Sequence, residues 1–308
     1  MKRIIGLLAM LLAVLLLGGC ALAGSAGKTF VTSFYPMYVF AQNVTAGVPG
    51  VQVVNLAGEN AGCLHDYQLQ TRDMVTLEKA DALIINGGGM EQFMDKVIAQ
   101  RPQMPVIDAG RGIEMLCSGG EHDHEEHDHD HEHVLLNAHV WMDPSLAQLQ
   151  VQNIADGLAA ADPENGQHYQ DNAAAYIARL EALDAEIAAM LAPFAGREII
   201  TFHESFTYFA AAYDLTVAAV IAGNSGEEPG TREIARVCDL VEEKEIGVLF
   251  VEPQYPAKSA GTIARETGAQ VMTLNPVVSG DGSPESYEML MRENAGIMMG
   301  AFLNDGEN

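Results

Sequence analysis

The chain has 308 residues, of which 16 are lysine or arginine and 42 are aspartate or glutamate, so its formal net charge at pH 7 is −26. This acidic balance repels nucleic acid and anionic lipid surfaces and favours cations as partners. The length is sufficient for two domains of ordinary size.

The N-terminus has the pattern of a bacterial export signal. Two basic residues precede an apolar run over residues 4–17, which is shorter than the ~20 residues of a membrane-spanning helix. The run ends in the sequence LGGC, which is typical of a lipobox whose cysteine, here Cys20, becomes the lipidated first residue. We therefore predict a lipoprotein signal peptide over 1–20, a tether over 21–28, and an exported protein anchored by lipid outside the cell membrane.

Short apolar strands alternate with helical segments in both halves of the chain. The strands are predicted at 29–34, 51–56, 82–86 and 106–108, and then at 198–202, 216–221, 248–251 and 271–274. The helices are predicted at 36–47, 71–79 and 91–100, and then at 206–213, 231–243, 257–267 and 284–303. This alternation is typical of parallel sheets with helices on both faces. We predict two α/β lobes, the first over 29–163 and the second over 197–308.

One long helix is predicted between the lobes, over 164–192. Its larger side chains recur at alternating spacings of four and three, which places them on one face. These side chains are Tyr169, Ala173, Tyr176, Leu180, Leu183, Ile187 and Met190. A helix of this length spans roughly 42 Å at 1.5 Å per residue. We therefore predict a rigid linking helix that packs along both lobes.

Six of the ten histidines lie in the tract 121–133, whose sequence EHDHEEHDHDHEH contains only histidine, aspartate and glutamate. The tract has no apolar side chain to bury, which indicates a loop of the first lobe rather than part of its core. Imidazole beside carboxylate attracts divalent metal ions. We predict an auxiliary metal loop formed by His122, His124, His127, His129, His131 and His133.

Three other histidines occupy comparable positions at the ends of predicted elements. His65 lies between a strand and a helix, His139 lies just before a helix, and His203 ends the first strand of the second lobe. Loops at strand ends are where open α/β sheets place their ligands. One such histidine is more often structural, but three of them together with a His/acid loop favour a shared metal site. His168, on the long helix, is predicted to be a surface residue.

This combination resembles the metal-specific solute-binding lipoproteins of ABC importers, the zinc- and manganese-uptake receptors. The matching segments are HDY at 65–67, HVWMDP at 139–144, the strand end at His203 and IARETGA followed by LNP within 263–276. The lipobox, the His-rich loop and the linking helix also agree. The resemblance implies a metal site in the cleft between the lobes, with His65 and His139 from the first lobe and His203 from the second. It also implies a monomeric receptor that delivers metal to an ABC permease and its ATPase.

Asn275 departs from the aspartate that this family usually has in an LDP motif. An amide is neutral and a poor oxygen donor, so the site is dominated by imidazole nitrogen, which suits Zn²⁺. We therefore predict a high-affinity zinc receptor, with a manganese receptor of the same family as the alternative. For the fourth ligand we rank Asn275 or a water molecule first and Glu204 second; Glu252, Asp66 and Glu59 are further candidates.

Two functions of other classes compete with this prediction. A zinc hydrolase would also use three protein ligands and an open position. The pair His203 and Glu204 begins like a zinc-protease motif, but the residue four positions after the histidine is Thr207. We predict that the protein is not an enzyme. A surface metal buffer or adhesin lipoprotein without a transporter stays open as an alternative.

Three smaller features are predicted to be structural. Asp143 precedes Pro144 and is predicted to cap a helix. The three glycines at 87–89 lack the lysine of a phosphate loop, so they predict a tight turn between strand and helix. Among the cysteines after the lipobox, Cys63 is predicted to pair with Cys117, which leaves Cys238 over.

Overall fold

The computed structural model describes residues 27–58, 64, 67–118, 136–222, 229–255 and 258–305. Several predicted features therefore lie outside the described residues: the signal peptide with Cys20, most of the tether, His65 with its neighbour Asp66, Glu59, Cys63 and the His/acid tract at 121–133. The pairing of Cys63 with Cys117 accordingly stays a prediction. Cys117 is exposed and Cys238 is half-buried.

The N-terminal lobe contains a four-stranded sheet in which every strand pair is parallel. Its strands are β1 Lys28–Thr32, β2 Val51–Asn55, β3 Ala82–Ile85 and β4 Val106–Asp108, in the order β2-β1-β3-β4. Helices α1 Tyr35–Val44, α2 Thr71–Glu78 and α3 Asp95–Gln100 connect them. In the central strand β1 the inner residues Phe30 and Val31 are fully buried, because helices cover both faces of the sheet.

The C-terminal lobe repeats the same strand order. Its strands are β5 Glu198–Thr201, β6 Thr216–Val220, β7 Val248–Val251 and β8 Gln270–Thr273, all parallel and in the order β6-β5-β7-β8. The helices of this lobe, numbered after the two helices that precede it in the chain, are α6 Thr207–Ala212, α7 Thr231–Glu243, α8 Lys258–Thr267 and α9 Ser286–Asp305. The predicted class, two α/β lobes with parallel sheets, is confirmed. In each lobe the first strand, β1 or β5, lies between two other strands. The residues that follow it therefore leave the sheet next to the ends of both neighbouring strands.

Helix α5 (Gly166–Leu191) is the predicted connection between the lobes, and it follows helix α4 (Pro144–Ala161). It packs against α4 and α1 of the N-terminal lobe and against α9 of the C-terminal lobe. The predicted stripe is buried up to Ile187, but its last member is Leu191 rather than the half-buried Met190. Among the described helices, none is long and apolar enough to cross a membrane.

The helix starts two residues later than predicted. Pro163 and Glu164 lie in a turn, because Asp162 holds the chain before the helix. Its Oδ2 accepts hydrogen bonds from Tyr169 Oη at 2.7 Å and from Asn165 Nδ2 at 2.8 Å. These two side-chain bonds tie the turn before Gly166 to the first turn of the helix.

A single apolar core runs through both lobes. It joins Phe30 of β1, Trp141, the buried face of α5 and Phe250 of β7, while smaller clusters lie under the outer helices. Relative motion of two domains is expected where their interface is small and polar. Here separating the lobes would expose large apolar side chains, so the fold permits only small relative displacements.

Candidate metal centre

Two of the three predicted histidine ligands meet at the boundary between the lobes. His139 comes from the N-terminal lobe and His203 from the C-terminal lobe, and both are fully buried. Their ring centroids are 5.0 Å apart with the ring planes at 80°. The third, His65, lies outside the described residues, and no group of three or more metal-binding side chains occurs within them. The structure therefore brings two nitrogen donors together from segments 64 residues apart in sequence.

His203 is positioned by the end of strand β5. Thr201 is the last strand residue, and His203 has an extended backbone (φ −123°, ψ 165°) before the single 3₁₀ turn Glu204–Phe206. Tyr255 lies against this segment, with its ring 5.5 Å from that of Phe202 and 5.4 Å from that of His203. The imidazole thus stands at the carboxyl edge of the sheet, where parallel α/β folds bind their ligands.

His139 is positioned by the segment that leads into α4. Its Nδ1 lies 2.8 Å from Oδ1 of Asn137, and its ring lies 5.1 Å from that of Trp141. Trp141 Nε1 donates to the carbonyl of Pro276 at 2.8 Å, and Tyr287 Oη donates to the carbonyl of Trp141 at 2.7 Å. Trp141 thus donates one hydrogen bond to the C-terminal lobe and accepts one from it, and both hold the His139 segment at the boundary between the lobes.

Asp143 caps the helix that follows His139. Its Oδ1 accepts a hydrogen bond from the main-chain nitrogen of Ser145 at 2.7 Å, and Pro144 is the first helical residue. The predicted capping role is confirmed. Partial burial raises the pKa of this carboxyl, and the capping hydrogen bonds oppose that shift.

Asn275 follows strand β8, and both ends of its amide contact its own turn. Oδ1 accepts from the main-chain nitrogen of Val277 at 2.8 Å, and Nδ2 lies 3.4 Å from the carbonyl of Ser279. The turn places Val277 at φ 60°. A metal bond from Oδ1 would compete with the Val277 N–H. The role of Asn275 as a fourth ligand stays a prediction, and these contacts favour water in that position.

Glu204, the second-choice ligand, points towards the base of the His/acid tract. Its Oε1 accepts from Ser118 Oγ at 2.6 Å. Cys117 and Leu136 form an isolated antiparallel bridge that closes this base. We call the residues 116–118 and 136–137 the stem. The carboxylate therefore joins the C-terminal lobe to the stem, and its role as a metal ligand stays a prediction.

Glu91 is a buried acid that sequence reasoning missed. It accepts hydrogen bonds from Ser33 Oγ at 2.7 Å, from the Asn86 main chain at 2.8 Å and from the Gly87 main chain at 3.1 Å. Burial raises the pKa of the Glu91 carboxyl to about 7, although the hydrogen bonds from these three donors act to lower that pKa. Asn86 in turn donates to the carbonyl of Ala138 at 2.9 Å. Glu91 thus supports the segment that carries His139, and nothing in the sequence distinguished it from the other acids.

The three glycines between Asn86 and Met90 form the predicted tight turn. Their φ angles are 84°, 63° and 85°, all in the left-handed region that other residues avoid. The turn directs the chain from β3 back to Glu91, whose carboxylate accepts from its first amide. The glycines therefore serve the Glu91 network, and the structural interpretation of this motif is confirmed.

Glu252 is the matching buried acid of the C-terminal lobe. It follows β7, accepts from the hydroxyl of Ser205 and accepts from Gln254 Nε2 at 2.6 Å. Burial raises its pKa to about 8, and the hydrogen bond from Ser205 opposes that shift. This acid is therefore mostly protonated in the folded protein at neutral pH.

Replacing Glu252 with glutamine is expected to stabilise the metal-stripped protein at pH 8.5 by about 4 kcal/mol more than at pH 5. In the unfolded chain the acid loses its proton near 4.5, whereas the folded pKa is about 8. Between these two pKa values the folded protein keeps a proton on Glu252 that the unfolded chain has released. This proton therefore contributes its full stabilisation below about pH 4.5, and the stabilisation is lost as pH rises through 8. Urea unfolding at both pH values measures the difference.

The exposed Glu242 provides the control. Its replacement by glutamine removes the same carboxylate charge, but from the surface rather than from the buried interior. An equal effect of Glu252→Gln at both pH values would contradict the raised pKa.

The chain matches the protein family described as ZnuA, zinc-uptake complex component A periplasmic, over residues 30–301. It is 30% identical over 305 residues to the zinc-binding lipoprotein AdcA of Streptococcus pneumoniae, and this alignment covers 96% of this chain and 60% of that protein. It is 30% identical over 286 residues to the high-affinity zinc uptake system protein ZnuA of Bacillus subtilis, which covers 89% of this chain and 88% of that protein. The chain thus spans between about half and 60% of the length of its AdcA relatives.

Two solved structures of similar fold cover most of both chains. The solute-binding protein FpvC of Pseudomonas aeruginosa, in complex with Ni²⁺, has a TM-score of 0.76 and 28% identity over 90% of this chain and 97% of that one. A crystal structure of ZnuA has a TM-score of 0.75 and 28% identity over 89% of this chain and 99% of that one. The two-lobed fold with its connecting helix is therefore shared with metal-binding proteins.

Proposed function

Because the chain belongs to the family of zinc-uptake complex component A periplasmic proteins, ZnuA, we propose that it is an extracytoplasmic high-affinity Zn²⁺ receptor that delivers the ion to the permease of an ABC importer. The observation that carries this proposal is the meeting of His139 and His203, two buried imidazoles from different lobes, with ring centroids 5.0 Å apart. Zn²⁺ is the cargo of this site.

The proposed site consists of His65, His139 and His203 with one further position. Three imidazoles and one oxygen match the tetrahedral, nitrogen-rich coordination that suits Zn²⁺. Water is our first choice for the further position, because the amide of Asn275 is engaged by its own turn. Glu204 is the second choice. Mn²⁺ is the alternative cargo, since it depends more on carboxylate oxygen.

Capture in this proposal requires no chemical reaction, so the protein is a receptor and not an enzyme. The ion bonds to residues of both lobes and thereby stabilises their closed arrangement. The core shared by the lobes limits the accompanying motion to a small displacement. Release therefore requires contact with the permease.

A lipid anchor holds the receptor at the membrane, and a histidine-rich tract supplies it with metal ions. Lipid on Cys20 holds the exported, monomeric protein beside the permease and its ATPase. The six histidines from His122 to His133 collect metal ions weakly near the stem. Glu204 and Ser118 support this arrangement, because their hydrogen bond joins the base of the tract to the turn that follows His203.

Calorimetric titration of the metal-stripped mature protein is expected to show one tight Zn²⁺ site and several weaker ones from the tract. Zn²⁺ should bind the tight site at least about tenfold more tightly than Mn²⁺, because imidazole nitrogen dominates it. A tight site that prefers Mn²⁺ would identify a manganese receptor instead.

Growth separates a receptor from a surface metal buffer. A deletion strain should grow poorly in zinc-depleted medium and recover when zinc is added. Normal growth of that strain, together with tight zinc binding by the protein, would favour a buffer or adhesin without a transporter.

A further inference from the structure

We propose that Asn137 is a positioning residue that selects Nε2 of His139 as the nitrogen that binds the ion and couples this imidazole to the turn after His203. The inference rests on the proposed function and deepens it, because it assigns a role to a residue that does not itself bind metal. Asn137 is only 1% exposed and lies two residues before His139.

Main-chain partners determine the orientation of the Asn137 amide. Oδ1 lies 3.0 Å from the main-chain nitrogen of His139, which can only donate. Nδ2 lies 3.1 Å from the main-chain carbonyl of Glu204, which can only accept. Exchanging the amide oxygen and nitrogen would place donor against donor and acceptor against acceptor. The oxygen therefore faces His139.

The same oxygen determines the tautomer of the His139 ring. Nδ1 lies 2.8 Å from Oδ1, and two nitrogen donors satisfy its two lone pairs. Because Oδ1 only accepts, Nδ1 must carry the hydrogen, and the lone pair of the neutral ring is then on Nε2. A hydrogen bond of this kind also orients the ring and increases the basicity of the ligating nitrogen.

The amide also connects the two lobes at the site. Through the carbonyl of Glu204 it contacts the residue directly after His203. The hydroxyl of Tyr208, on α6, donates to the main-chain carbonyl of Asn137 at 2.7 Å and accepts from the main-chain nitrogen of Leu116 at 2.8 Å. From the other side, Asn86 holds the carbonyl of Ala138. The separation of the two imidazoles is thus set by Asn137 and its neighbours before any ion arrives.

The tautomer is measured by nitrogen-15 NMR of the imidazole rings in the metal-stripped protein at pH 8. His139 is expected to show a protonated Nδ1 and an unprotonated Nε2, and a His139→Gln variant assigns its signals. This measurement needs no metal binding, so it tests the positioning role even if the proposed function fails. A ring protonated at Nε2 would overturn the inference.

Two substitutions at Asn137 separate positioning from general support. Asn137→Ala removes the acceptor, so His139 should populate both tautomers and zinc affinity should fall about 10- to 100-fold. Asn137→Asp keeps the acceptor oxygen that faces His139 but places its second oxygen against the Glu204 carbonyl, so it should lower the melting temperature while its affinity stays within about threefold of the unmodified protein. A purely structural role would instead weaken stability in both variants without separating their affinities.

Tyr208→Phe is the matched control, since it removes a hydrogen bond to the main chain of Asn137 but leaves the side-chain amide intact. It should lower the melting temperature without changing the tautomer, and any loss of zinc affinity should be much smaller than that of Asn137→Ala. If Asn137→Ala does not fold, the tautomer of the unmodified protein and the affinity of Asn137→Asp remain decisive. Full affinity in Asn137→Ala, or a loss in Asn137→Asp as large as in alanine, would overturn the inference.

Discussion

Replacing either His139 or His203 with alanine is expected to weaken zinc binding by more than about a hundredfold, because loss of a hydrogen-bonding neighbour of a ligand already costs 10- to 100-fold. Each histidine supplies one nitrogen from its own lobe, and both rings are fully buried at the interlobe boundary. Water cannot replace the lost imidazole with equal strength at a nitrogen-rich site. Competition with a chromophoric zinc chelator measures the affinity.

His168 provides the control for these substitutions. It is exposed on α5, as predicted, so its replacement by alanine should leave the tight site unchanged. Thermal unfolding of each metal-stripped variant separates loss of a ligand from loss of the fold. Unchanged zinc affinity after either buried histidine is replaced removes that residue from the site. Weakening by only one of the two would mean that the ion is held by one lobe.

Replacing Trp141 with alanine is expected to lower the free energy of unfolding by about 3–5 kcal/mol, the usual cost of removing a large buried aromatic side chain. The ring is fully buried and packs edge-on against Phe34 with centroids 5.0 Å apart. Its Nε1 also bonds to Pro276 of the other lobe. The loss therefore affects the core of the N-terminal lobe and the interlobe contact together. Urea unfolding followed by circular dichroism measures it, since the chain has only this one tryptophan to fluoresce.

Trp141→Phe separates these two contributions. Phenylalanine keeps an aromatic ring beside Phe34 but cannot donate to Pro276, so part of the loss, about 1–3 kcal/mol, should come from that unsatisfied carbonyl and the smaller ring. Zinc affinity should fall in the alanine variant, because the His139 ring loses the surface that it packs against. A cost below about 1 kcal/mol for alanine would show that Trp141 does not connect the lobes.

The strands and most helices were predictable because their signals are local. All eight strands lie within two residues of their predicted bounds, and α7 occupies Thr231–Glu243 as predicted. Buried parallel strands are continuous apolar runs, and amphipathic helices repeat their apolar residues every three or four positions. The two differences in the linking helix, its start at Gly166 and its final contact at Leu191, come from the Asp162 turn and from packing against neighbouring helices.

The ligand candidates were predictable in kind but not in their contacts. The positions of the histidines at the ends of elements predicted a shared site, and the structure brings two of them, His139 and His203, together. The amide of Asn275, selected as a ligand by its position in a motif, contacts its own turn. Glu204 shares its carboxylate with Ser118, 86 residues away. Sequence position showed which residues lie near the cleft, and the direction of each side chain depended on partners that the motif does not contain.

By itself the sequence determined the two α/β lobes and the connecting helix, because burial leaves a periodic pattern along each element. It also placed three histidines at the ends of these elements. Only the tertiary structure decided the roles of Asn137, Glu91 and Glu252. The Asn137 amide is oriented by a carbonyl 67 residues away, and the two acids acquire raised pKa values because the surrounding chain removes water from them. Such effects depend on distances between remote segments, and these distances exist only after the core has assembled.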